Sequence, residues 1–292
     1  MTSRATVSAT KYRPTEIQTS VQLRLLSPRN NPSLMSFYDL SKPERQKLVQ
    51  KIEGDCVVAL QSGGFKTIEH YAIDSDTYIR KTTYSILGRI YRDHQELRNS
   101  VFKVINFLIQ HKDEKARQTA VYTLGEIGKT DPDKVFDLLD QALTDEHHSV
   151  RDAVTGALKQ LGEKNPSETI AFARKHLHNP DPKIRREIVH GLELRGRTHP
   201  EDILPLLKEL ENDPDRKIRE TIIHVIGQIS YKQGCLEKVT ESLKAWENQD
   251  LIAKAFTEIL EVHKRYERFS AKTREEARQY IEDNLSNFKK DI

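Results

Sequence analysis

The chain has 292 residues, 36% hydrophobic and 31% charged, with 12 glycines, 11 prolines and two cysteines. That length bounds two ordinary domains or one elongated array, and so polar a chain suits a fold that grows in one dimension. Residues 1–34 hold Arg4, Lys11, Arg13, Arg24 and Arg29 against Glu16 alone, so of the formal charge of +3 the other 258 residues contribute about −1, which argues against a general nucleic-acid coat.

No run of about 18 apolar residues is present to span a bilayer, and no secretory h-region opens the chain. Cys56 and Cys235 stand far apart and make no disulfide framework, so a reducing, cytoplasmic setting is expected. Residues 1–35, rich in Ser, Thr, Pro and Asn and without helical periodicity, read as a disordered basic extension. A mitochondrial presequence is also Arg-rich and acid-poor, but no amphipathic Arg helix supports one here. Met35, the only methionine after Met1, stands just before the first folded segment and reads as an alternative translation start.

From residue 36 onward the chain reads as helical. Lys42 to Leu60 predicts an N-terminal capping helix. An apolar–basic dipeptide then recurs at Ile79-Arg80, Ala116-Arg117, Val150-Arg151, Ile184-Arg185 and Ile218-Arg219, with arginine spacings of 37, 34, 34 and 34. Seven residues after each arginine comes Leu87, Leu124, Leu158, Leu192 or Ile226, and three of the next positions are Gly88, Gly125 and Gly227. Six residues before each arginine stands Asp74, His111, Asp145, Asn179 or Asp213. So many offsets held in phase define an internal repeat.

Each unit predicts two helices. Glu201 to Glu211 carries Ile203, Leu204, Leu206, Leu207 and Leu210 as an apolar stripe. Asn212-Asp-Pro-Asp215 breaks the chain and caps a second helix from about Arg216 to Ile229, with Ile218, Ile222, Val225, Ile226 and Ile229 on one side. A lone hairpin cannot bury such faces, whereas a stack makes a continuous core. Five units span about 64–232 and a degenerate sixth about 235–262, with Ala253-Lys254 at the anchor and Asn248 six residues before the lysine. A C-terminal cap helix follows at 270–289, with Ala277, Tyr280, Ile281, Leu285 and Phe288 on one side.

These features resemble the HEAT repeat family over roughly residues 64–262. The resemblance implies an all-α, right-handed α-α superhelix as a solenoid over 36–292. It also implies a ladder between neighbouring units, carried here by Asp74/Arg80, Asp145/Arg151 and Asp213/Arg219. His111 and Asn179 depart from the family's aspartate, so weaker rungs are expected at Arg117 and Arg185. Pro205, fourteen residues before Arg219, matches the family's proline in the first helix.

The family lines its concave side with the second helices. The helical period then turns Lys81, Arg89 and Arg92, Tyr122, Arg186, His190 and Arg197, and His224 toward a partner, with Arg186, His190 and His224 central. His190 and His224 occupy one offset in adjacent repeats, where helices pack about 8–10 Å apart. No Cys/His spacing completes a tetrahedral set around them, or around His147-His148 and His176-x-His178, so no metal is expected.

Catalytic signals are absent. There is no phosphate loop and no GxSxG elbow, and Ser62-Gly63-Gly64 is a lone helix break. Cys56, beside Val57 and Val58, reads as a packed thiol. Cys235 opens a helix, which favours a lowered pKa. The chain is distantly similar to the HEAT-like alkylpurine DNA glycosylases, which remove a base from damaged DNA with an Asp flanked by aromatic residues. Trp246 and Asp250 share their four-residue interval, but the Trp-Trp-Asp motif and a second tryptophan are missing, so no catalytic residue is assigned. The Leu-Gly after the anchor is also similar to HEAT-repeat bilin lyases, although it belongs to the repeat rather than to their chemistry. The expectation is a non-enzymatic scaffold without a cofactor that presents its concave face to another protein. The alternative is a glycosylase-like protein holding duplex phosphates through Arg89, Arg92, Arg186 and Arg197.

Overall fold

The computed structural model describes residues 36–284, so the reading of residues 1–35, Met35 included, lies outside the described residues, as does the end of the C-terminal cap beyond Asn284. The described residues fall into two units, 36–40 and 41–284. In the first, the described part is a 3-10 turn, Phe37–Asp39, in which the Ser36 amide donates to Asp39 Oδ2 at 2.6 Å.

The second unit opens with the helix Lys42–Ser62, capped by Ser41 and Glu44 and ended by Gly63 at φ 75°, a left-handed position that suits glycine. Six helix pairs follow. Their first members are Lys66–Ala72, Arg98–Ile109, Phe136–Leu143, Pro166–His176, Pro200–Glu209 and Cys235–Leu243; their second members are Thr77–Asp93, Glu114–Gly128, His148–Lys164, Pro182–Gly191, Arg216–Gln228 and Gln249–Arg265. The helix Arg274–Asn284 packs on the last pair. No strand occurs among the described residues, and the fold is a right-handed α-α superhelix in which second helices stack on second helices. Pro205 sits inside Pro200–Glu209 on its exposed side, where its missing N–H leaves the buried stripe intact.

The repeat is written in its turns. Asp74, His111, Asp145, Asn179 and Asp213 each accept, through the side chain, the amide two residues on, at 2.7–3.0 Å. The residue whose amide donates that bond is Asp76, Asp113, His147, Asp181 or Asp215, and each in turn caps the second helix by accepting the next amide but one. His111 departs from aspartate but keeps the turn, because its Nδ1 accepts the Asp113 amide at 3.0 Å. Each anchor arginine then curls back through Nη1 onto the carbonyl of the residue six before it, and all but Arg219 also onto that of the residue five before it: His111 at 2.9 Å and Lys112 at 3.1 Å for Arg117, Asn179 at 2.7 Å and Pro180 at 3.2 Å for Arg185.

The ladder corrects the sequence-based pairing. Arg117 grips Asp145 of the next unit through Nε at 2.7 Å and Nη2 at 3.0 Å, and Arg185 grips Asp213 at 2.8 and 2.9 Å. The acid therefore belongs to the unit after the arginine, and the rungs expected to be weak are the two bidentate ones. Arg80, Arg151 and Arg219 meet Asp74, Asp145 and Asp213 only at the backbone carbonyl. In register, the turns that follow Arg80 and Arg151 carry His111 and Asn179 where a carboxylate would stand. His111 instead places Nε2 3.2 Å from Glu69 of the first unit.

The aliphatic positions seven after each anchor are all buried: Leu87, Leu124, Leu158, Leu192 and Ile226. Gly88 has a packing reason: a Cβ there would lie 2.3 Å from the Glu126 Cβ of the neighbouring second helix. Its lack of a side chain lets the two helices close.

Candidate functional site

The second helices of units three, four and five converge on an open depression of about 530 Å³, lined by Asp152, Arg186, Glu187, His190, Lys217, Glu220, Thr221 and His224. The period puts most of them there: Asp152, Arg186 and Glu220 stand one residue past their anchors and His190 and His224 five past theirs, on one helical face, and stacking sets the three faces side by side.

Beneath this depression lies Glu193. The helix Pro182–Gly191 pauses at Leu192 and resumes as Glu193–Gly196, which brings Glu193 one turn beyond His190. Its carboxylate is buried and surrounded by cations and rings. Oε2 meets Lys159 Nζ at 3.0 Å, His190 Nε2 at 3.1 Å and, farther off, His224 Nε2 at 3.9 Å, while Oε1 accepts from Arg197 Nη2 at 2.5 Å. Burial alone would raise this acid, but the bonds from His190 and Lys159 and the charges of Lys159 and Arg197 outweigh it and hold the group at about 2. The rings of His190 and His224 meet edge to face with centroids 5.8 Å apart. Burial pushes the His224 imidazole below its ordinary value, against the opposing pull of Glu193. Glu187 is buried beside them, taken by Thr155 Oγ1 at 2.7 Å and by Arg186 Nη2 at 2.9 Å.

Of the residues expected on this face, Arg186, His190 and His224 line the depression, and Arg197 joins them through Glu193 and through Gln228 Oε1 at 2.9 Å. The others stand apart in units one and two. Lys81 is exposed; Arg89 reaches Glu53 of the first long helix at 2.9 Å; Arg92 turns onto its neighbour Asp93. Tyr122 stacks on Tyr84 with centroids 5.0 Å apart. The sequence reading missed Glu193 and Lys159, both of which follow from position: Glu193 stands three after His190, and Lys159 stands 34 before Glu193, one repeat back.

Two further expectations meet the structure here. Cys56 is buried, with its thiol pushed up to about 12 by burial and by the acids Asp55 and Glu53. Cys235 is a correction: burial raises its thiol instead of the helix start lowering it, and Sγ lies against the Arg197 carbonyl at 3.5 Å. Trp246 is buried and donates to Ser242, while Asp250 is exposed and paired with Lys254 at 2.6 Å. The pair therefore makes no carboxylate flanked by aromatic rings.

A family model of HEAT repeats matches residues 65–159, 103–176 and 170–260. These matches run across two thirds of the chain, which belongs to the HEAT-repeat family. No curated protein matches it. Among solved structures it is similar to AlkD2 from Streptococcus mutans, at 16% identity over 73% of this chain and 100% of that one, with a TM-score of 0.49. A chain of the Pds5–Scc1 complex is similar at 15% identity over 76% and 35%, TM-score 0.43. A designed armadillo repeat protein in complex with the peptide (KR)4 is similar at 12% identity over 66% and 96%, TM-score 0.31.

Proposed function

We propose that this protein is a non-enzymatic HEAT-repeat scaffold that works in the cytoplasm and docks another protein along the second helices of units three to five. The observation that carries the reading is the depression over Glu193, where three successive helices present Asp152, Arg186, His190, Lys217, Glu220 and His224 around one opening. Both charge signs alternate across it, which suits a polypeptide partner offering both signs better than a uniform polyanion. Two free, buried cysteines fit the compartment.

The arginines that the DNA-binding alternative needs are engaged by acids: Arg89 by Glu53, Arg92 by Asp93, Arg186 by Glu187 and Arg197 by Glu193. A phosphate backbone would have to displace those carboxylates. The test is affinity purification with the wild type and with a variant carrying Arg186→Glu and His224→Ala, beside a gel shift on duplex DNA at low salt. Selective loss of a protein partner by the variant is the expected result. Duplex binding that weakens steeply with salt, with unchanged protein recovery, would transfer the role to DNA.

A further inference from the structure

We propose that His190, Glu193 and His224 form a binding site for a divalent transition-metal ion of the zinc class. The three residues bring two imidazole nitrogens and one carboxylate oxygen within 4.8 Å of one another. Glu193 Oε2 lies 3.1 Å from His190 Nε2 and 3.9 Å from His224 Nε2. An ion bonded at about 2.1 Å in a tetrahedron holds its donors about 3.4 Å apart, so these two separations bracket what such an ion requires. Both rings are half-exposed and turn freely enough to close the remaining gap, whereas Glu193 is fixed.

A second layer of contacts supports two of the three donors, Glu193 and His224. Arg197 holds the other oxygen of Glu193 at 2.5 Å and so orients the carboxylate. Glu258 Oε1 lies 3.8 Å from His224 Nδ1, on the far side of the ring from Glu193. At that distance there is no hydrogen bond, but the negative charge favours a proton on Nδ1, which leaves the Nε2 lone pair toward the ion. The fourth position opens into the depression, where His190 and His224 form part of the lining, so it is left for water or for a donor brought by a partner. Two histidines and one carboxylate are a donor set that zinc and the imidazole-binding first-row ions accept.

Lys159 is the internal competitor. Its ammonium stands 3.0 Å from the same Oε2 and is partly exposed, so it can swing away as the ion takes its place. The site thus exchanges one cation for another at a buried carboxylate. This inference goes beyond the docking role proposed above: it shares His190 and His224 with that surface, but binding of the ion requires no protein partner.

The test is calorimetric titration of the full-length protein with Zn2+, together with the visible spectrum of the Co2+ form. One ion per chain is expected, with intense tetrahedral Co2+ bands. His190→Ala and His224→Ala should each weaken binding by about tenfold or more, and Lys159→Gln should tighten it by a similar factor. The site falls if the wild type shows no saturable binding, or if the double variant His190→Ala/His224→Ala binds as tightly as the wild type. If a variant does not fold by circular dichroism, the wild-type Co2+ spectrum decides: a weak octahedral spectrum like that of the hydrated ion overturns the proposal.

Discussion

At the residue scale, the anchor arginines share a sequence position and differ in what they do. Arg185 and Asp213 are both buried and bonded twice, so truncating the arginine strands a carboxylate out of water. Arg185→Ala is expected to cost roughly 3–5 kcal/mol in urea unfolding. Arg151 bonds only backbone carbonyls, and its truncation is expected to cost about 1 kcal/mol. Equal losses would show that the backbone bonds and not the carboxylate rungs carry the anchor. The rung at Asp145 also sets an acid limit. Burial works to raise that carboxyl, but the bonds from Arg117 and the His147 amide prevail and hold it below its ordinary value. A folded pKa below the unfolded one means stability fully present above about pH 4 and lost as the pH falls through the folded value. The difference in melting temperature between wild type and Asp145→Asn should therefore be constant near neutrality and shrink below about pH 4.

At the element scale, the turn and the closest helix contact decide the geometry of a unit. Side-chain acceptance of the amide two residues on needs only an acceptor at the right reach, which is why aspartate, asparagine and histidine all serve at that position. The inter-unit rung needs a carboxylate, and there histidine and asparagine do not substitute. Gly88 gives a prediction with a reversed sign. Alanine inside a helix normally stabilises by about 1 kcal/mol over glycine. At Gly88 the added carbon would collide with Glu126 at 2.3 Å, so Gly88→Ala should instead destabilise by about 1–3 kcal/mol, read by chemical denaturation. A stabilised Gly88→Ala would mean that the second helices of units one and two can move apart without loss.

At the scale of the whole molecule, stability is a chain of nearest-neighbour terms. The boundaries between units two and three and between units four and five each hold a bidentate rung, through Arg117–Asp145 and Arg185–Asp213. The boundary between units three and four lacks one but is tied on the groove side by Thr155–Glu187 at 2.7 Å and Lys159–Glu193 at 3.0 Å. Between units one and two, Arg80 has no carboxylate and no bidentate rung forms; single bonds tie the units instead, His111 to Glu69 at 3.2 Å, Tyr91 to Asp131 at 2.7 Å and Thr119 to the Ala72 carbonyl at 3.0 Å, beside Tyr84 stacked on Tyr122. Native-state hydrogen exchange should therefore show Thr77–Asp93 opening before Glu114–Gly128. Equal protection of the two helices would refute this ordering of the interfaces.

The local rules were legible along the chain. The five-fold phase of the anchors, the capping turns and the apolar stripes are all set by contacts within four to six residues, and those are what the sequence spells out. The buried aliphatics at Leu87, Leu124, Leu158, Leu192 and Ile226 follow from the same helical period. Tertiary structure alone decided which aspartate each arginine grips, because the rise and rotation from one unit to the next carry the guanidinium past its own turn onto the next. It alone brought Lys159 of unit three and His224 of unit five around the His190–Glu193 pair of unit four. That meeting depends on how closely second helices approach, and no local period encodes that distance.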